Sequence, residues 1–134
     1  MSTLSVGTIQ SVGTIQSSTT TSPPTINNSD GTEIGTFCRA WVNFDGTGTV
    51  AIRANFNVSS ITDNGTGDYT VNFTNALADA AYAINVGAKR GSLNESLHGS
   101  QSTTAPAAGS CRIIVGQGSF STRDGDFVNV AIFR

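Results

Sequence analysis

The chain has 134 residues, 12% of them charged, and a formal net charge of −2, which leaves room for one ordinary core and about half the usual surface charge. Seven Lys and Arg stand against nine Asp and Glu, and the only basic cluster is Lys89-Arg90. A phosphate-tracking groove is therefore excluded and no nucleic acid is expected as a partner. No apolar run reaches the length of a membrane span and no basic, then apolar leader is present, so neither membrane insertion nor export is expected.

Residues 1–16 contain a hexapeptide written twice, Ser5-Val6-Gly7-Thr8-Ile9-Gln10 and Ser11-Val12-Gly13-Thr14-Ile15-Gln16. Its β-branched residues favour extended backbone, and so short a unit cannot bury its own apolar side chains. It needs a surface to pair with, most simply copies of itself. Val6, Ile9, Val12 and Ile15 are the candidate contacts of an attachment or oligomerisation arm. Residues 17–33, with Pro23-Pro24 among Ser, Thr and Asn, have the composition of a flexible linker.

From residue 34 to 134 the pattern changes to short strands between turn signals. Strands are predicted at 37–44, 49–56, 58–62, 68–74, 81–87, 110–115 and 126–133. Asp45-Gly46 and Asp63-Asn64-Gly65 mark tight turns. Residues 75–81 are the one helix-compatible stretch, too short to stand alone. About seven strands at this spacing predict an all-β fold: an antiparallel β-sandwich, jelly-roll-like, or a small barrel. Residues 89–109 lack strand patterning and are predicted to form a long surface loop, with Lys89, Arg90, Asn94, His98 and Gln101 as candidate exposed binding residues.

Little in the chain points to catalysis. His98 is the single histidine and reads as a solvated loop residue. Asp63, Asp68, Asp124 and Asp126 flank turns, where aspartates ordinarily bond their own backbone. Neither a phosphate loop nor a metal-ligand spacing is present, so no catalytic residue, cofactor or metal is expected. Cys38 and Cys111 are read as free buried thiols, with a disulfide as the sharper alternative. Trp41 is read as a core residue, with half-exposed sugar binding as the alternative. Arg39, Arg53, Arg112 and Arg134 lie in or beside strands, facing solvent or a neighbouring subunit's carboxylates. Five Asn-x-Ser/Thr sequons, at Asn27, Asn57, Asn64, Asn72 and Asn94, are read as a by-product of an Asn/Ser/Thr-rich composition.

The stretch 40–73, with Trp41-Val42-Asn43-Phe44, the turn Gly46-Thr47-Gly48-Thr49 and the turn Asp63-Asn64-Gly65-Thr66-Gly67-Asp68-Tyr69, strongly resembles a module of tail-fibre and other virion structural proteins of tailed bacteriophages, notably those infecting cyanobacteria and other aquatic bacteria. The ending Val128-Asn129-Val130-Ala131-Ile132-Phe133 and the twice-written Val-Gly-Thr-Ile-Gln element fit the same module. The resemblance implies a non-enzymatic, β-rich homotrimer located in the virion and assembled in the host cytoplasm. Its implied partners are other tail or capsid proteins, met through the N-terminal arm, and a host cell-surface glycan. A short tail fibre or fibre tip that mediates host attachment is the function expected. A capsid cement or decoration protein, or a tail–fibre adaptor without receptor binding, is the alternative.

Overall fold

The computed structural model describes residues 26–91, 95–118 and 121–134. Val6, Ile9, Val12, Ile15 and Asn94 lie outside the described residues. Two compact units divide the chain, one ending at Phe37 and one running from Cys38 to Arg134. In the first, β1 (Ile26–Asn27) pairs antiparallel with β2 (Glu33–Gly35). This small hairpin lies partly within the expected linker. It turns on Asn28, whose side chain accepts the backbone N–H groups of Asp30 and Thr32.

In the second unit, β3 (Cys38–Asp45), β4 (Ala51–Phe56), β5 (Val58–Gly65), β6 (Asp68–Phe73), β7 (Ala83–Arg90), β8 (Glu95–Gln101), β9 (Ser110–Gln117) and β11 (Phe127–Phe133) form one antiparallel path in the order β4-β3-β11-β7-β8-β9-β6-β5. The two-residue β10 (Ser121–Thr122) pairs with β9. Strands β7, β8 and β9 are successive neighbours and β11 returns beside β7, the 4-1-2-3 order of a Greek key. The two ends of the path, β4 and β5, are consecutive in sequence and approach each other at Asn57. The sheet is therefore curled into a nearly closed barrel. Register shifts interrupt the β3–β4 and β5–β6 ladders and the Ile132/Phe133 end of β11–β3, whereas β11–β7, β7–β8, β8–β9 and β6–β9 run without one. Both ladders made by the edge strands β4 and β5 are thus bulged, which bends the chain there and discourages further pairing.

Alternation decides what fills the interior. Ala40, Val42 and Phe44 of β3, Tyr69, Val71 and Phe73 of β6, Cys111, Ile113 and Val115 of β9, and Val128, Val130 and Ile132 of β11 all point inward and are buried. Leu97 of β8 and Val58 of β5 complete this core with Leu77. Eight strands enclose just enough space for such side chains to fill.

Several expectations need correcting. The predicted loop 89–109 contains β8, which pairs with β7 on one side and β9 on the other. Lys89 and Arg90 end β7, and His98 and Gln101 belong to β8. Residues 75–81 form no helix. Leu77 is buried there with its N–H on the Ala108 carbonyl, and the Asp79 carboxylate takes the Ala81 N–H. Trp41 is on the outer face, 39% exposed, because its neighbours Ala40 and Val42 hold the inward positions.

At one end of the barrel Tyr69 packs edge-on against Phe44, with ring centroids 5.1 Å apart. Its hydroxyl lies 2.8 Å from Asp124 Oδ1 and 3.0 Å from the Gly46 carbonyl oxygen. Burial, then the Asp124 carboxylate, pushes the phenol well above its ordinary pKa. Tyr69→Phe leaves both acceptors short of this donor. It is expected to cost about 1–3 kcal/mol, measured by urea unfolding of both proteins.

Both cysteines are free, Cys111 buried and Cys38 half-buried. Burial pushes the Cys111 thiol up to about 12, and the reactive thiolate is scarce there at neutral pH. A thiol reagent is expected to modify Cys38 in the folded protein and Cys111 only on unfolding, as read by mass spectrometry of the labelled peptides.

Candidate functional site

Cross-strand partners share a face, so the registers define the outer surface of the barrel. Over β8 and β9 the outward residues are His98 and Ser100, opposite Gly116 and Ile114. Gly116 is required there. A Cβ at that position would lie 2.6 Å from the Ser121 carbonyl oxygen, where β10 folds back. Two depressions meet at Ser100 and Ile114. One, about 220 Å³, is bordered by His98, Gln117, Gly118 and Thr122. The other, about 330 Å³, is bordered by Gln101, Ser102, Thr103, Thr104, Asp68 and Arg112. Together they make a groove bordered by polar residues, with Ile114 as its floor and a largely apolar lining.

The charges at this groove are paired. Arg112 grips Asp68 through two parallel bonds, Nε to Oδ1 at 2.7 Å and Nη2 to Oδ2 at 2.6 Å. This geometry fixes both side chains. Hydrogen bonding from Arg112 holds the Asp68 carboxyl below its ordinary range, against the opposing effect of its partial desolvation. What remains for a ligand is a row of hydroxyls, the two glutamine amides and the exposed His98 ring. Among the described residues no group of three His, Cys, Asp or Glu is placed to hold a metal. Hydrogen-bonded recognition is the chemistry this surface supports.

Of the residues proposed from sequence, His98 and Gln101 border the groove. Lys89 stands elsewhere, its Nζ 4.6 Å from the centroid of the Phe127 ring, which also receives the Arg53 guanidinium at 4.3 Å. Arg90 lies opposite Glu95 at the end of the β7–β8 ladder. These arginines have partners within the chain: Arg53 with Asp45, Arg112 with Asp68, Arg134 with Asp79, while Arg39 donates to the Arg134 carbonyl at 3.2 Å. The Arg134 pair, through its hydrogen bonds, holds the exposed Asp79 down at about 2.

Asp63 bonds its own turn, at the Gly65 N–H, as expected. Asp68 and Asp124 do not. Asp124 accepts the Gly67 N–H at 2.7 Å and faces Tyr69, joining segments more than fifty residues apart. The Asp68–Arg112 pair was missed because its members are 44 residues apart and no local spacing announces it.

A third depression, about 350 Å³, lies on the same outer surface over β3, β11 and β7. It is bordered by Trp41, Asn85, Gly87, Asn129 and Ala131. No protein-family model, curated protein or solved structure matches the chain.

Proposed function

We propose that the chain is a non-enzymatic structural protein of a tailed-phage virion, a short tail fibre or fibre-tip component that mediates attachment to the host surface. In this reading it is a homotrimer. Residues 1–16 tie it to its symmetry mates or to another virion protein, and the β unit is a jelly-roll-like head. The Greek-key order of β7, β8, β9 and β11 suits such a head.

The observation that carries the reading is a division within the barrel. The stretches that resemble the phage module, 40–73 and 128–133, supply β3, β4, β5, β6 and β11, which include both edges and most of the core. The stretch without a recognised motif supplies β8 and much of the open groove, with His98, Ser100, Gln101 and Thr103. A framework of core strands that carries an open surface bordered by polar residues is what attachment requires. Weak contacts at one such surface are multiplied by trivalency and by the number of copies on a particle.

The test is competition. Host cells are incubated with the purified chain before the parent phage is added. Dose-dependent slowing of phage adsorption is expected. Unchanged adsorption at saturating protein would overturn the attachment role and favour a capsid cement or an adaptor.

A further inference from the structure

The depression over β3, β11 and β7 has a composition unlike the groove's. In register, Trp41 lies opposite Ala131, and Ala131 opposite Asn85. A small residue thus separates an indole from an amide across two strand spacings, roughly 10 Å. The next outward row runs Asn43, Asn129, Gly87. Asn43 Nδ2 donates to Asn129 Oδ1 at 2.6 Å, which orients the Asn129 amide at the border of the depression and leaves its N–H donors unused by that bond. Gly87 contributes no side chain, and a Cβ built there would meet nothing within 4 Å. The floor is therefore open above Gly87 and Ala131.

None of the bordering residues is ionisable. The cations on this face are engaged elsewhere, Arg53 and Lys89 on the Phe127 ring and Arg39 at the Arg134 carbonyl. An exposed indole face beside oriented, uncharged amides matches one ligand chemistry well. The apolar C–H face of a sugar ring covers the indole, and the amides meet vicinal hydroxyls as both donors and acceptors. A charged ligand would find no counter-charge here. A purely apolar one would cut the Asn85 and Asn129 side chains off from water.

We infer that this depression binds a neutral saccharide, its ring stacked on Trp41 and its hydroxyls held by Asn85 and Asn129. The inference rests on the attachment reading for its purpose and on these residues for its chemistry.

Trp41 is the only tryptophan, so tryptophan fluorescence, excited selectively over the two tyrosines, reports on this site alone. The full chain is titrated with D-glucose, D-galactose, D-mannose and N-acetylglucosamine, following that fluorescence and the NMR signals of the indole and asparagine side-chain N–H groups. A saturable change with at least one sugar is expected, at a dissociation constant of roughly 1–10 mM, as befits a small open site. Trp41→Ala, followed by NMR, and Gly87→Leu, which fills the floor without a backbone clash, are each expected to weaken binding by at least about tenfold. Gly87→Leu should keep the unfolding midpoint of the parent, while Trp41→Ala, which removes a side chain only 39% exposed, should lower it and is read for binding below its own midpoint. His98→Ala, in the separate groove, should leave binding unchanged. No saturable change with any of the four sugars would overturn the inference, as would binding that survives Gly87→Leu. So would a Trp41 signal that shifts on dilution alone, because the face would then be covered by a second copy. Adsorption blocking by a chain that binds none of these sugars would sink this inference and leave the attachment reading standing.

Discussion

Gly67→Ala is expected to destabilise the barrel by about 3–5 kcal/mol, from left-handed strain and forced displacement together. Gly67 has φ +66°, a conformation that costs a side-chain-bearing residue about 1–2 kcal/mol. The added Cβ would also lie 2.3 Å from the Val115 carbonyl oxygen, 2.6 Å from the Arg123 nitrogen and 2.8 Å from the Arg123 oxygen. All three are backbone atoms, so no side chain can swing aside. Gly67 itself is held at both ends. Its N–H donates to Asp124 and its carbonyl accepts the Val115 N–H at 2.7 Å. Moving it disturbs Asp124 and through it the Tyr69 hydroxyl. Since a domain's whole stability is about 5–15 kcal/mol, little would remain. Denaturant unfolding measures the loss, and a value below about 1 kcal/mol would show that the β6–β9 end is far more yielding than its geometry implies.

Asn57→Ala is expected to cost about 2–4 kcal/mol, from strain and lost hydrogen bonds. Asn57 is the single non-glycine residue with positive φ among the described residues, at 54°. It forms the corner between the two edge strands. Asn tolerates this conformation better than Ala. Its amide donates to the carbonyls of Arg39 and Asn75, each at 3.1 Å, and its Oδ1 accepts the Asn75 N–H at 2.9 Å. One side chain thus ties the β4–β5 corner to the start of β3 and the end of β6. Asn57→Gly keeps the backbone and removes only the bonds, so it should cost about half as much. The difference between the two variants isolates the strain. Equal stability of both variants and the parent would mean that the corner holds without Asn57.

Most of the strands were legible because each carries several inward teeth. Ala40, Val42 and Phe44, or Tyr69, Val71 and Phe73, repeat at period two, and the predicted bounds of these strands fall close to the observed ones. Strand β8 was missed because Ser96-Leu97-His98-Gly99-Ser100-Gln101 offers one apolar residue, Leu97. Its strand state comes from the ladders on both sides and from a close fit to β7, where a Cβ on Gly99 would meet Val86 at 2.1 Å. Propensity is silent in such a segment and tertiary pairing decides.

The position of Trp41 was available in the same alternation that placed Val42. A general expectation that tryptophan is core outweighed it, although Ala40, Val42 and Phe44 already claimed the inward side. Asn57, the Asp124–Tyr69 bond and the Asp68–Arg112 pair were not legible at all. Each is set by residues 18 to 55 positions away, and one sequence gives no sign of which distant segments meet. For the same reason the groove was seen only as a list of polar residues in a presumed loop, with His98 and Gln101 on it and Lys89 and Arg90 placed elsewhere.

Virions labelled with gold-tagged antibody against residues 34–134 and viewed by electron microscopy give the most direct test of the attachment role. Gold confined to the tail or fibre tips is the predicted result. Gold spread over the head would contradict it and make the chain a capsid cement or decoration protein.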